Sequence, residues 1–368
     1  MPWCHKKRCL AREQKYEAEG HRPSDCTLSL IWEKAVPIHT SLVTEVLPLA
    51  KGAYSTKNVK ESGAEREYSC EELLALGFTE VPWEGFNPRP IVDRQGRIVV
   101  VMAGQPHDPS YSAACMEVHD AILHEGAAAN FCKPSNNHRC GGFPAVNIGI
   151  SYGKGQKVPS RLQNGTLAAI INRLVGSEAV MQMATYASAS LNLWAPQLHG
   201  HYADHLDALY KKLPHLRPNF ARSVFPCAAF NFGGNIWTFK HRDILNCPYG
   251  WCAITALGRF DHRRGAHLIL WELKLFIQFP HGATIFIPSA TIMHSNTAPV
   301  QGNSRSSFTQ FLAGGILWWV DNGFRTEKEM VRQDPAAYAE MLKRKGKRWQ
   351  MGLSLLSTLD EILEPVSS

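Results

Sequence analysis

Between Ser69 and Lys212 the sequence carries helical signals around one strand pair, and from Ser223 onward the text turns to short strands separated by Gly, Pro and Asn turns. On two of those strands, polar residues sit where an apolar interior is expected. These observations predict an α+β chain with a jelly-roll core, a cupin-like double-stranded β-helix, flanked by helices. Three regions follow. Residues 1–68 read as a basic, loosely ordered extension, 69–325 as the main domain with its jelly roll from about 223, and 326–368 as a helical tail.

The elements follow in order. Ser69-Cys-Glu-Glu72 is a capping box, opening a short helix that Gly77 closes. The run from Ile91 to Met102 reads as strand, tight turn and strand. A helix is expected from Ser112 to Glu125. After the Gly- and Pro-rich stretch Cys140–Pro159, helical spacing returns with Thr166 as N-cap and Leu167, Ile170, Ile171 and Leu174 on one face. Another helix runs through His205–Lys212. The expected strands are Phe225–Phe232, Trp237–His241, Cys252–Arg259, His267–Phe279, Thr284–Ile287 and Ser306–Leu312. Alternation puts His267, Ile269, Trp271, Leu273, Leu275, Ile277 and Phe279 on one apolar, inward face. Arg305, Ser307 and Thr309 share a face by the same parity. Polar residues on an inner face imply a ligand inside the barrel. In the tail, Thr326 and Asp334-Pro335 each mark a helix start.

Composition narrows the function classes. At 45% apolar and 19% charged residues, the chain is of globular type. No apolar run approaches the roughly 18 residues that span a bilayer, and the basic start Met1-Pro-Trp-Cys has no apolar core of a secretory signal. Ten unevenly spaced cysteines fit a reduced intracellular protein better than a disulfide scaffold. A net charge of +7 suits a polyanionic partner. The run Lys343–Arg348 is a candidate nuclear-import signal, a phosphate contact, or a solvated helix end.

The most informative pattern is His241-Arg-Asp243, then His294, then Arg305-Ser-Ser307. Two imidazoles and one carboxylate can occupy one face of Fe(II) and leave the other open for O2 and a 2-oxo-acid cosubstrate. An arginine on a following strand can clamp the far carboxylate with its planar fork of donors. A protein-kinase reading of His-Arg-Asp fails, because Pro248 stands where that catalytic loop needs Asn. His199, His201 and His205 read as a solvated helix face. Cys4, His5, Cys9, His21 and Cys26 match no standard zinc spacing, nor do Cys132, His138 and Cys140. The loop Tyr152–Arg161 offers Lys154, Lys157 and Arg161 beside glycines, either a DNA-phosphate contact or an exposed basic loop.

Three stretches carry a resemblance: Trp237-Thr-Phe-Lys-His-Arg-Asp-Ile-Leu-Asn246, His267-Leu-Ile-Leu-Trp-Glu-Leu-Lys-Leu, and His294 through Arg305 and Ser307 to Trp318-Trp-Val-Asp-Asn-Gly. From about Ser69 to Phe324 the chain resembles the TET/J-binding-protein family of Fe(II)- and 2-oxoglutarate-dependent nucleic-acid base oxygenases, in the branch found in fungi alongside transposons. The resemblance implies His241, Asp243 and His294 as iron ligands. It implies Arg305 and Ser307 as the 2-oxoglutarate clamp, His267 as a further cosubstrate contact, and Asn246 as a reader of the target base. Where the family places a base-contacting histidine, this chain has Ala313 followed by Gly314-Gly315, which implies a roomier pocket and leaves 5-methylcytosine and N6-methyladenine both open. The implied partners are Fe(II), 2-oxoglutarate, O2 and double-stranded methylated DNA, in the nucleus. RNA or protein hydroxylation, and a catalytically inert DNA-binding relative, are the alternatives.

Overall fold

A computed structural model describes residues 31, 33–57, 65–129, 131, 138, 140–153 and 155–363. The strands are β1 (Ile38–His39), β2 (Thr79–Val81), β3 (Arg89–Val92), β4 (Ile98–Gly104), β5 (Ala145–Ser151), β6 (Ser160–Arg161) and β7 (Cys227–Asn231). They continue as β8 (Cys252–Arg259), β9 (Leu268–Leu270), β10 (Leu275–Ile277), β11 (Thr284–Ile287), β12 (His294–Asn296) and β13 (Ser304–Phe311). Nine of them form one sheet in the order β1-β3-β4-β11-β8-β13-β7-β5-β6, and four form a second, β12-β9-β10-β2.

Burial layers the molecule. One apolar cluster joins Leu268, Leu270, Leu275 and Ile277 of the small sheet to Val100, Ala253, Ala256, Ile285 and Ile287 of the large one. The opposite face of the large sheet, with Phe230, Leu257 and Phe308, is covered by helices α2 (Pro109–Ala128), α3 (Ala168–Gly176) and α4 (Glu178–Trp194). The outer face of the small sheet carries Ile269 and Phe276 against Leu73 of α1 (Cys70–Ala75).

Local signals placed several elements. Ser69 and Glu72 make both bonds of the capping box, and Gly77 follows at φ 78°. The β3–β4 hairpin turns on Asp93, whose carboxylate accepts from the backbone N–H of Gln95 and Arg97 at 2.9 and 3.0 Å. Asp108 caps α2, so that helix begins earlier than expected, with Pro109 at its first position. Thr166 is not an N-cap: it lies in a 3-10 turn, Gly165–Leu167, that leads into α3. Helix α4 has no counterpart among the expected elements. Its buried face carries Val180, Met183, Ala187, Leu191 and Trp194 at helical spacing, an apolar period that was there to be read between its alanines and serines. The expected helix at His205–Lys212 is the end of a longer one, α5 (Pro196–Lys212).

Two strand expectations need correction. His267–Phe279 is not one strand but the β9–β10 hairpin, turning at Trp271–Lys274 with Lys274 at φ 53°. The turn resets parity, so the expected common face does not exist. Leu268 and Leu270 face the main core while Ile269 faces α1. Trp237–His241 is extended but outside regular strands, held between a bridge at Asn235–Arg305 and another at His241–His294.

The flanking segments belong to the same core. Within the expected N-terminal extension, β1 pairs in parallel with β3, and Thr56 N–H donates to Ile244 O at 2.9 Å. Tyr54 is buried and its hydroxyl bonds to Asp321. The tail forms α7 (Glu327–Gln333) and α8 (Pro335–Leu353), started by Thr326 and Asp334 as their side chains suggest. Between β13 and the tail lies α6 (Gly314–Asp321). Lys343–Arg348 is helical, and Arg348 is buried, donating to Gly52 O at 2.8 Å. His201 and His205 are not a solvated face. His205 Nε2 lies 3.1 Å from Asp321 Oδ1 and His201 Nε2 lies 3.2 Å from Tyr249 Oη. Among the described residues, no helix is long and apolar enough to cross a membrane.

Because Trp349 sits in the main core, Trp349→Ala is expected to destabilise the whole domain by about 3–5 kcal/mol. Urea unfolding followed on a site near the sheets checks this, and loss of the tail signal alone would mean that the tail folds separately.

Candidate metal centre

The irregular segment 235–243 carries the site. Its first part is tied to β13, where Ile236 N–H donates to Arg305 O and Arg305 N–H to Gly234 O, at 3.1 and 2.9 Å. Its last part is tied to β12 by two reciprocal backbone bonds between His241 and His294, at 3.0 and 2.9 Å. The two imidazoles therefore lie side by side, ring centres 4.3 Å apart. Each is oriented in the same way. His241 Nδ1 lies 2.6 Å from Phe239 O, and His294 Nδ1 lies 3.1 Å from Ile292 O. Those carbonyls accept the Nδ1 protons and leave both Nε2 atoms as bases, as in histidines that bind a metal through Nε2.

Asp243 stands between the rings. Its Oδ1 is 3.9 Å from His241 Nε2 and its Oδ2 is 3.9 Å from His294 Nε2. The Asp243 backbone is held by a 2.8 Å bond from its N–H to Ser289 O. Arg242 bonds to Glu272 and donates from Nε to Thr291 O at 3.0 Å, while Glu272 Oε2 accepts from Met293 N–H at 2.8 Å. This one ion pair fixes the residue between two expected ligands and the residue before the third. Both partners escaped the sequence reading, since a charged pair distant in sequence leaves no spacing signal.

Directly opposed strand residues share a face. His294 opposes Leu270, so it turns toward the main core between the sheets. On β13, Ser306 and Phe308 face the helices, so Arg305 and Ser307 face that same interior. Arg305 is buried, at 1% exposure. Its Nη1 donates to Ile236 O at 2.9 Å, but Nε has no hydrogen-bond partner and no carboxylate pairs with it among the described residues. Burial pushes its guanidinium down to about 10. A buried cation in this state calls for an anion. Ser307 Oγ accepts from Asn231 Nδ2 at 2.8 Å.

His267 is placed differently from the expectation. It packs edge-on against Phe276, its Nδ1 lies 3.5 Å from Cys70 Sγ of α1, and its Nε2 lacks a hydrogen bond. Burial lowers its pKa. It lies on the outer side of the small sheet, whereas His294 lies on the inner side, because the β9–β10 turn overrides the alternation assumed for one long strand.

Asn246 and Ala313 are brought together as a bridge, and Asn246 Nδ2 donates to Ser289 Oγ at 3.0 Å. The glycines after Ala313 do not enlarge a pocket. A Cβ at Gly314 would stand 2.0 Å from Tyr54 O, and one at Gly315 would stand 2.5 Å from Tyr152 O. They are there to let two backbones approach. The basic loop packs on α6 through Trp319 Nε1, which donates to Lys157 O at 3.2 Å. Arg161 is committed to Arg217 O and Asn219 Oδ1, at 3.0 and 2.8 Å. Lys154, Cys132 and the N-terminal Cys and His residues lie outside the described residues.

Cys140 arrives where its sequence neighbours gave no hint. Its Sγ lies with a ligand nitrogen of His241 and a carboxylate oxygen of Asp243, all within 4.8 Å of one another. His119 is a second unforeseen residue. From α2 it reaches Ser306 Oγ at 2.8 Å and Ser304 Oγ at 3.0 Å, gripping β13 on either side of Arg305.

No family model and no curated protein matches the chain. Solved structures that it resembles in shape include NgTET1 in complex with 5mC DNA, 12% identical, over 65% of this chain and 83% of that one, at a TM-score of 0.46. Another is an oxidoreductase of the 2OG-Fe(II) oxygenase family from Burkholderia pseudomallei, 15% identical, over 60% of this chain and 86% of that one, at 0.30.

Burial holds His119 down at about 4, against about 6.5 for a free imidazole. Between those values the unfolded chain binds more protons, so stability is expected to fall as pH drops from about 6.5 toward 4. His119→Gln should make the dependence of unfolding free energy on pH shallower in that window. An unchanged slope would show that His119 contributes nothing to it.

Proposed function

We propose that the protein is an Fe(II)- and 2-oxoglutarate-dependent dioxygenase acting on methylated DNA bases. The observation that carries the reading is the pair of Nδ1-anchored imidazoles flanking Asp243, facing the same interior as a buried arginine with no anionic partner. Two neutral nitrogens and one carboxylate fit Fe(II). The orphaned guanidinium fits the distal carboxylate of 2-oxoglutarate.

His241, Asp243 and His294 would hold the metal, Arg305 the cosubstrate carboxylate, and Ser307 an adjoining hydrogen bond. When bound, iron and cosubstrate supply the oxidising power that places an oxygen atom in a methyl C–H bond. The chain supplies position: Arg242 and Glu272 would hold the segments that carry these residues. On 5-methylcytosine the product is the hydroxymethyl base, with formyl and carboxyl forms on repetition. On N6-methyladenine the hydroxylated methyl leaves as formaldehyde. Either base must leave the stack, at a cost on the order of a few kcal/mol, offset by phosphate contacts from the basic surface. Asn246, beside Ala313, is the base-side candidate, and Lys157 is an exposed cation of the adjoining loop. Nuclear residence is proposed from the DNA substrate, since Lys343–Arg348 is helical with Arg348 buried.

The test is nucleoside mass spectrometry after incubation with Fe(II), 2-oxoglutarate, O2 and duplexes carrying 5-methylcytosine, N6-methyladenine or neither. Oxidised cytosine or lost methyladenine is expected, and His294→Ala should abolish it. Arg305→Met should weaken 2-oxoglutarate binding by about 2–5 kcal/mol without lowering the melting temperature, since it removes an unpaired buried charge. Cosubstrate turnover with every duplex unchanged would sink the DNA assignment.

A further inference from the structure

The geometry points to a second metal state of this centre, in which Cys140 joins His241 and Asp243 around a thiophilic divalent cation, zinc. It rests on the proposed function in one respect, that His241 and Asp243 are metal ligands.

The three ligand atoms already lie within 4.8 Å of one another. Bond lengths of about 2.3 Å to sulfur and 2.0–2.1 Å to nitrogen put the ligands of a tetrahedral zinc roughly 3.5 Å apart. A closing movement of about an ångström therefore completes the set. Cys140 is also built into the same backbone as the histidine. Its carbonyl accepts from Phe239 N–H at 2.9 Å, and the Phe239 carbonyl in turn holds His241 Nδ1 at 2.6 Å. On its other side, Cys140 N–H donates to His138 Nδ1 at 3.2 Å.

The chemistry separates the two metals. Zinc ranks above iron(II) in affinity for a given site, and a thiolate ligand widens the gap. A site that activates O2 keeps positions open for its substrates, and a thiolate from Cys140 would occupy one coordination position of the metal. Cys140 binds as the thiolate, its proton passing to solvent. Zinc ligation by Cys140 thus fills a position that the iron-loaded centre leaves to its substrates, and zinc is an inhibitor that a chelator reverses.

Cobalt(II) reports both parts of the claim. The wild-type cobalt complex is expected to show ligand-field bands together with a thiolate-to-cobalt charge-transfer absorption. Cys140→Ser and Cys140→Ala should lose the charge-transfer band, keep the ligand-field bands, and raise the zinc dissociation constant about tenfold or more in chelator competition, at least the loss seen on removing an outer-shell partner. Two substitutions guard against misfolding of either one, and circular dichroism confirms the fold. Ligand-field bands with no charge-transfer band in the wild type, or a band that persists in both variants, overturns Cys140 ligation and leaves the histidine–aspartate reading standing. Failure of the wild type to bind cobalt or zinc overturns both.

Discussion

Two backbone hydrogen bonds between His241 and His294 join the halves of the site, and much of the molecule is arranged around them. They end a segment that starts on β13 of the large sheet, beside Arg305, and finishes on β12 of the small one. A candidate cosubstrate clamp and two candidate metal ligands are thus three points on one hydrogen-bonded ribbon. The ribbon is irregular because it crosses between sheets, and its polar backbone is satisfied by both. A shift at either anchor would move imidazole and guanidinium relative to each other.

Electrostatics reinforces that geometry. The interior carries an arginine without an anion and a carboxylate between two imidazoles. A guanidinium buried in this way is favourable with a ligand of the opposite charge. The Arg242–Glu272 pair, by contrast, is complete in itself and spends its bonds on Thr291 and Met293. It holds the segments of the candidate ligands in place by itself.

The helical tail extends this support outward. Helix α6 begins at Ala313 beside Asn246 and ends at Asp321, where Tyr54, His205 and Arg348 converge from the N-terminal segment, α5 and α8. Gly314 and Gly315 admit the backbones of Tyr54 and Tyr152 against the first turn. Asn246 and Ala313 are therefore braced by elements far from them in sequence.

The sequence by itself determined what depends on neighbours along the chain. The capping boxes at Ser69 and Thr326, the Asp334-Pro335 start, the β3–β4 hairpin and the polar parity of Arg305 and Ser307 were legible because each is a bond or a face set within a few residues. It also supplied the candidate ligand types, since His-x-Asp with a distant His and an Arg is a chemical pattern before it is a shape. Only the tertiary structure decided the rest. It broke the run His267–Phe279 into a hairpin and so turned His267 away from His294. It seated alanine- and serine-rich α4 in the core, brought Cys140 to His241, and set His119 against β13. Apart from the local β9–β10 turn and the apolar spacing of α4, the deciding partner is far away in the chain, and a contact that long leaves no period or spacing in the sequence to read.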